Sequence, residues 1–282
     1  MGRQKKLRLT PSWLPVIRDH LVVEGRRQGE RGNLQGTVSE QIMREFYDEM
    51  DTLSRAPLWW VSEDMKKICV DTVMNGPMPP AEPLPTATGF IVFEGGVSFL
   101  TKEMMDVPVT AVSWEQVESM HGGLPDVMLR LFSDAPQITM GRLIDKSLPI
   151  APVRVIDDRA MDASVIALLS VAFALMNQPS VTAAVESRWD QRRDGPQPRS
   201  MTQAAKVKMI VLRPPARLSV RTESGVQRRT PDHRYIVRGF YRNQQYGPRN
   251  SLRRRQWIPP FVKGPEGAPL IVKDSVRIWR RL

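Results

Sequence analysis

Cysteine is nearly absent from this chain: Cys69 is the one thiol in 282 residues. A single cysteine excludes an internal disulfide and any metal site built from several cysteines, and it fits a reducing cytoplasm. Long hydrophobic runs are also missing, since the longest nearly apolar stretch, residues 165–176, is interrupted by Ser170. A helix that spans a bilayer needs about 20 apolar residues. We therefore expect a cytoplasmic protein that makes no membrane contact.

Acidic residues are scarce in the last third of the chain. Residues 188–282 contain 23 Lys and Arg but only 6 Asp and Glu, a net charge of +17. The preceding residues hold 18 basic and 24 acidic side chains, a net charge of −6. Such an asymmetry indicates a polyanionic partner for the basic part. The alternative is a basic segment that docks on its own acidic domain or is simply solvated.

The hydrophobic pattern predicts an α+β protein with two domains. Residues 1–187 are expected to form an acidic mixed α/β body, and residues 188–282 a basic, β-rich module that binds nucleic acid. Residues 157–176 are the strongest predicted helix. Its second half is apolar nearly all round, so it should be the central buried helix of the body. Further helices are predicted at residues 39–55, 63–75 and 181–188.

Glycine and proline punctuate the predicted strands. Residues 89–93 lead into a Gly95-Gly96 turn, and residues 97–100 are the expected hairpin partner. Four extended pieces follow in the last third, and the simplest arrangement is one curved antiparallel sheet packed on helices of the body. These four pieces are residues 207–213, 233–241, 255–262 and 276–279.

A basic stripe with interleaved aromatic side chains runs through residues 233–265. Because side chains alternate along a strand, Arg234, Arg238 and Arg242 are expected on one face, where the separation between side chains starts at roughly 6–7 Å for residues two apart, comparable to adjacent phosphates. Aromatic rings add stacking surfaces for single strands. The predicted partner is RNA before DNA, or another polyanion. In the alternative interpretation, the aromatic rings pack a sheet core and the arginines cover its solvated face. The predicted nucleic-acid-binding residues are Arg234, Arg238, Tyr241, Arg242, Tyr246, Arg253, Arg254, Arg255, Trp257 and Lys263.

His233 is the candidate catalytic residue. A metal-independent ribonuclease can use one histidine as general base while cationic side chains stabilise the pentavalent phosphate. Arg238, Arg242 and Lys263 would complete that set, although a histidine at the start of a strand is more often structural. No ligand pattern with metal-binding spacing is present, and no cofactor or metal is predicted.

Two short motifs in the last third carry a resemblance. His-x-x-x-Val-Arg-Gly-x-x-Arg-Asn-Gln begins at His233, and Arg-x-x-Trp-Ile-x-Pro-x-x-Lys-Gly-Pro begins at Arg254. Together they resemble the C-terminal block of a protein family from actinobacteria and their phages. The arrangement is also distantly similar to phage anti-CRISPR inhibitors of the type V-A effector nuclease, which lower production of that effector.

The resemblance implies a phage or prophage regulatory or inhibitor protein that acts on host or competitor gene expression. With the basic stripe, it favours a protein that binds RNA. Two alternatives stay open: a metal-independent endoribonuclease centred on His233, and an inhibitor that binds an acidic host protein surface. A host protein or a ribosome-associated complex is therefore a candidate partner beside RNA.

Overall fold

The computed structural model describes residues 8–34, 40–80, 84–100, 106–118, 126–135, 148–153, 159–187, 189–195, 206–213 and 231–272. Helices and sheets both occur, which confirms the α+β class. The helices are α1 (Leu14–Leu34), α2 (Glu40–Arg55), α3 (Glu63–Asn75), α4 (Arg159–Met176) and α5 (Gln191–Asp194). The strands are β1 (Leu58–Val61), β2 (Thr88–Leu100), β3 (Asp106–Val117), β4 (Asp126–Ser133), β5 (Ala151–Pro152), β6 (Thr182–Ser187), β7 (Val207–Leu212), β8 (Arg234–Val237), β9 (Phe240–Tyr246), β10 (Leu252–Ile258), β11 (Phe261–Lys263) and β12 (Leu270–Ile271).

The chain divides into two compact units, each assembled from three segments. The first unit comprises Met1–Glu63, Pro83–Ile166 and Ala184–Val211, and the second comprises Asp64–Glu82, Ala167–Ala183 and Leu212–Leu282. Both units take residues from either side of position 188, so this division does not follow the boundary predicted at 187/188. The separation into an acidic body and a basic module stays a prediction.

A seven-stranded mixed sheet organises the first unit, with strand order β5-β4-β3-β2-β1-β7-β6. Strand β1 lies parallel to β2 and β7, whereas β2 to β5 pair antiparallel in succession. All four residues of β1 are buried, which is typical of a parallel strand covered on both faces. One core cluster joins Leu14 and Ile17 of α1 to Trp60, Phe90 and Phe132 of the sheet.

The hairpin predicted within residues 89–100 is wrong, because these residues belong to the single strand β2. Gly95 and Gly96 adopt φ angles of 71° and 67°, and the register shifts between Val92 and Val97 while both halves of β2 pair with β3. Left-handed glycines let a strand absorb extra residues as a bulge. The two glycines therefore bend the strand without reversing it.

The segment predicted as a polar helix at 181–188 contains strand β6 (Thr182–Ser187) instead, and residue 188 lies outside the described residues. It lies beside β7 at the edge of the seven-stranded sheet, where ladder hydrogen bonds replace helical ones. The Thr182 hydroxyl donates to the carbonyl of Leu175 at 3.0 Å, which satisfies a carbonyl in the last turn of α4.

The helix predicted at 157–176 is confirmed from Arg159 onward, with most of its second half buried. Residues 157 and 158 lie outside the described residues.

The second unit contains two small sheets rather than the one predicted sheet. A three-stranded sheet has the order β11-β8-β12, with β11 antiparallel and β12 parallel to β8, and β9 pairs with β10 as an antiparallel hairpin. Strand β7 belongs to the seven-stranded sheet, and residues 276–279 lie outside the described part of the chain. The predicted strand 233–241 breaks at Arg238-Gly239, so its two halves join different sheets.

No helix in the described ranges is both long enough and apolar enough to cross a membrane.

Cys69 lies in α3 with none of its surface exposed, and burial raises the pKa of its thiol to about 12. The thiolate fraction at pH 8 falls roughly a thousandfold relative to an exposed cysteine. We expect a thiol reagent at pH 8 to label Cys69 only through opening of the protein, and to label it at the ordinary rate in denaturant. Rapid labelling of the native protein would contradict this burial.

The same burial predicts a pH dependence of stability. The folded thiol keeps its proton to about pH 12, whereas the unfolded thiol loses it near its ordinary pKa. Holding this thiol in its protonated form therefore favours the folded state fully at pH values below that ordinary pKa. This stabilisation is lost as pH rises from the ordinary pKa to about 12. The free energy of unfolding should fall by up to about 1.4 kcal/mol per pH unit there, and Cys69→Ala should remove this slope.

Candidate nucleic-acid interface

The β9–β10 hairpin, residues 240–258, is the most basic continuous element among the described residues, and we call it the arm. It contains five arginines and no acidic residue. The strands are joined by a tight turn in which Gly247, Arg249 and Asn250 have φ angles of 77°, 50° and 56°. Glycine and asparagine adopt such left-handed conformations at low cost. The sequence Gly-Pro-Arg-Asn therefore folds the basic stripe back on itself.

The register of the arm divides its side chains between two faces. Tyr246 pairs with Leu252 and Gln245 with Arg253, and the pairing continues to Phe240 and Ile258. Residues that pair directly in an antiparallel ladder point to the same side. The aromatic face carries Phe240, Arg242, Gln244, Tyr246, Leu252 and Arg254. The polar face carries Asn243, Gln245, Arg253 and Arg255, and the partly or wholly buried Tyr241 and Trp257 lie at its inner end.

The outer part of the arm is exposed on both faces. Residues 245–255 are all exposed, a run of 11 residues. Tyr246 and Leu252 on the aromatic face of this outer part retain 42% and 48% of their accessible surface, and Phe240 at the inner end of the same face retains 46%. A strand that packs on a core is exposed on one face only. The arm is thus open on both sides along most of its length.

Arginine side chains on the arm lie over tyrosine rings. The Arg254 guanidinium carbon is 5.6 Å from the Tyr246 ring centroid, and that of Arg255 is 4.2 Å from the Tyr241 centroid. Both pairs are diagonal neighbours across the ladder. Cation–π contacts of this kind hold a guanidinium beside a ring without neutralising its charge.

The inner end of the arm is anchored within the second unit. Trp257 is 8% exposed, and the Tyr241 hydroxyl donates to the carbonyl of Met78 at 3.0 Å. A Cβ on Gly239 would lie 2.9 Å from the carbonyl oxygen of Ile258 and 3.1 Å from Pro260 Cδ, so only glycine allows this approach. Two of the predicted stacking residues, Tyr241 and Trp257, therefore hold the arm in place, and Tyr246 is the exposed one.

Two predicted contact arginines bind carboxylates of α3. Arg234 Nη2 lies 2.7 Å from Asp64 Oδ2, and Arg238 Nη2 lies 3.4 Å from Asp71 Oδ1. Asp71 is buried, with 4% of its side chain exposed. By contrast, no described residue forms a salt bridge with any of the five arm arginines. Those five are Arg242, Arg249, Arg253, Arg254 and Arg255.

His233 and Lys263 belong to the three-stranded sheet and not to the arm. Lys263 pairs with Tyr235 and is exposed, with its ammonium 5.6 Å from the Phe261 ring centroid. His233 Nδ1 donates to Asp232 Oδ1 at 2.7 Å, and this bond lowers the pKa of the Asp232 carboxyl. His233, the predicted general base, therefore has a carboxylate beside it. Arg238, which was predicted to stabilise the phosphate in the same reaction, is instead bound to Asp71.

The sequence interpretation missed part of the arm. Phe240, Leu252, Arg249 and the amides Asn243 and Gln245 were not among the predicted contacts, although they share its exposed faces. The signal that would have found them is Gly247-Pro248, which marks a turn between two runs of seven residues. A predicted turn there pairs the two halves of the stripe and assigns each side chain a face.

A cleft of about 440 Å³ among the described residues of the first unit lies between α2 and strands β2 to β4. Desolvation lowers the pKa of Arg130 at this cleft to about 10, and its guanidinium forms a salt bridge with Glu49. Thr52 donates to Glu115 at 2.9 Å. Because Arg130 is already paired with a carboxylate, the cleft is a less favourable site for a polyanion than the arm, whose arginines have no carboxylate partner among the described residues.

Within the described ranges, no group of three or more His, Cys, Asp or Glu side chains is placed to hold a metal ion.

Comparisons with known proteins include a weak structural similarity. No protein-family profile matches the chain, and no curated protein matches it. The crystal structure of AcrVA2, a type V-A anti-CRISPR protein, is similar at a TM-score of 0.33 and 11% identity, over 91% of this chain and 87% of that one. At this TM-score the similarity supports no argument about fold or function.

Proposed function

We propose that this chain is a nucleic-acid-binding protein, with RNA as the preferred ligand and the arm as its contact surface. The observation that carries the proposal is a hairpin open on both faces, with five arginines, no acidic residue and no salt bridge to described residues. Guanidinium groups kept free of carboxylates retain their full attraction for phosphates.

The spacing along the arm supports phosphate contact. Arg253 and Arg255 lie on the polar face two residues apart, which separates their backbone positions by roughly 6–7 Å. Phosphates along an extended strand have a comparable separation, so neighbouring arginines can contact successive phosphates. Asn243 and Gln245 on the same face add donors and acceptors for sugar or base edges.

The biological role extends this proposal. A phage or prophage regulatory or inhibitor protein that binds RNA would act on the expression of host or competitor genes. This role is supported by the sequence resemblance alone, through the two C-terminal motifs, and it stays a prediction.

Arg253→Gln combined with Arg255→Gln tests the contact surface. If each side chain neutralises one phosphate of a single strand, the slope of log affinity against log salt should become shallower by about 1.4. Affinity at 0.1 M salt should fall roughly 25-fold, because the same two counterions are no longer released. Glutamine keeps part of the side-chain stem, so the ladder should persist. The measurement is a salt titration of binding to labelled single-stranded RNA.

The matched control is Arg192→Gln with Lys206→Gln, which removes the same charge from exposed positions of the first unit. Its slope should equal that of the unaltered protein. Equal changes in both variants would mean that only net charge matters, and would refute the arm as the surface. No binding at low salt to any RNA or DNA would make an acidic protein surface the leading partner.

The titration is also scored for RNA cleavage. Cleavage that His233→Ala abolishes, with binding retained, would assign the Asp232–His233 pair to an endoribonuclease centre. The proposal of a binding protein expects intact RNA throughout.

A further inference from the structure

We infer that the aromatic face of the arm stacks on unpaired bases, so that the ligand of this protein is single-stranded. The inference rests on the proposed function, since it names the class of nucleic acid that the same arm takes. It comes from the chemical difference between the two faces, which only the strand register reveals.

The aromatic face combines exposed apolar groups with cations. Tyr246 and Leu252 are directly opposite each other next to the turn, and both keep more than two fifths of their surface exposed. Phe240 lies on the same face six residues along β9, roughly 20 Å away. Neighbouring exposed apolar side chains rimmed by polar groups are typical of a surface that binds a ligand. The aromatic side chains of the polar face, Tyr241 and Trp257, are by contrast partly or wholly buried.

The cation beside Tyr246 makes this ring suited to a nucleotide. The Arg254 guanidinium lies 5.6 Å from its centroid, so a base and its phosphate would meet a ring and a positive charge at one position. Single-strand binders combine these two groups, because every base has a π face and every nucleotide a phosphate. Stacking is insensitive to base identity, so this face selects unpaired bases without selecting a sequence.

A duplex would not use the aromatic face in this way. Base faces in a duplex are covered by neighbouring base pairs, and a protein meets edges, sugars and phosphates. The arginines of the polar face can contact phosphates of either form. The two faces should therefore contribute differently to affinity. Arg253 and Arg255 should contribute to binding of both single strands and duplexes, and Tyr246 should contribute to binding of single strands alone.

The test compares Tyr246→Ala and Tyr246→Leu with the unaltered protein, on single-stranded RNA and on a duplex of the same sequence. Loss of one stacked base should lower single-strand affinity about 5- to 150-fold, while duplex affinity changes less than about twofold. The salt slope should stay unchanged, because no charge is removed. Leucine keeps the apolar volume without the π face, so it should lose affinity as alanine does.

Two controls keep the result interpretable. Tyr246→Phe keeps the ring and should retain affinity, and Tyr235→Ala removes an exposed tyrosine of the three-stranded sheet and should have no effect. Equal losses on both ligands, no loss on the single strand, or a loss with Tyr246→Phe would each overturn the inference. If binding also ignores Arg253→Gln with Arg255→Gln, the proposed function fails as well. If those arginines matter and Tyr246 does not, only the inference fails.

Discussion

Replacement of Gly264 by alanine should destabilise the second unit by about 3–5 kcal/mol. Gly264 has a φ angle of 125°, which side chains rarely adopt, and a Cβ there would lie 2.4 Å from the carbonyl oxygen of His233 and 2.7 Å from Arg234 Cα. Backbone strain costs about 1–3 kcal/mol, and a clash with rigid backbone adds to it because β11 must move away from β8. The measurement is the rate of Cys69 labelling, together with urea unfolding followed by circular dichroism.

Gly267→Ala is the matched control for that variant. Its φ angle of 80° is also left-handed, but no atom lies within 4 Å of the added Cβ. It should therefore cost only the conformational strain, about 1–2 kcal/mol. Similar losses for both glycines would show that the close approach of β11 to His233 does not matter. Unchanged Cys69 labelling in Gly264→Ala would contradict the packing of this sheet.

The motifs behind the sequence resemblance combine residues that pack inside the second unit with residues that are exposed. Gly264 permits the approach of β11 to β8, Gly239 permits the approach of the Ile258–Pro260 segment, and Trp257 is buried. Sequence alone indicated that these residues form a block, but it could not separate the block's internal contacts from its surface. The separation depends on which strands pair, and residues of the predicted single sheet belong to three different sheets.

The basic character of the site was predictable, and the partners of its individual arginines were not. Net charge is a sum over residues, so an excess of arginine can be recognised from the sequence without the tertiary structure. The partner of an arginine in an ion pair can be recognised only from the tertiary structure. Arg234 pairs with Asp64, which lies 170 residues earlier in the chain, and Arg238 pairs with Asp71, which lies 167 residues earlier. No local pattern reports a contact at that separation. Arg242 and Arg255 were correctly located in extended chain, whereas Arg249 lies in the turn. The assignment of these side chains to two faces required the position of the turn.

Local propensity also misled the prediction where the sheet imposed another geometry. The polar segment predicted as a helix at residues 181–188 instead contributes residues 182–187 to the sheet edge beside β7. The paired glycines of β2 resembled a turn but form a bulge, since β3 continues opposite both halves. In both cases ladder hydrogen bonds with a neighbouring strand outweigh a local preference of about 1 kcal/mol or less per residue.

Arg238→Ala should lower stability and leave the salt dependence of RNA binding unchanged. The Arg238 guanidinium donates from Nε and Nη2 to the two carboxylate oxygens of Asp71, each at 3.4 Å. Without it, a carboxylate with 4% of its side chain exposed keeps only the hydrogen bond from Asn75 among its described partners. Uncompensated buried charge costs about 3–5 kcal/mol, and the half-exposed arginine reduces this to about 2–3 kcal/mol.

The interpretation of Arg238 as a phosphate contact predicts the opposite. In that case Arg238→Ala with Arg242→Ala would make the salt slope on single-stranded RNA shallower by about 1.4, with both arginines contributing. The Asp71 contact predicts that Arg242 alone accounts for the change in slope. It also predicts that Asp71→Asn recovers part of the stability lost in Arg238→Ala, because the neutral amide removes the unpaired charge.

Variants of the arm and of the Arg238–Asp71 pair should therefore have opposite effects in two measurements, the salt slope of RNA binding and the rate of Cys69 labelling. Arg253→Gln with Arg255→Gln should change the salt slope and leave Cys69 labelling unaltered, whereas Arg238→Ala should accelerate labelling and leave the slope unaltered. Cys69 lies in α3 two residues before Asp71, so its opening reports directly on the helix that this ion pair holds. A reduced slope with unaltered labelling in Arg238→Ala would show that its guanidinium leaves Asp71 to bind a phosphate. Both arginine clusters would then belong to one binding surface.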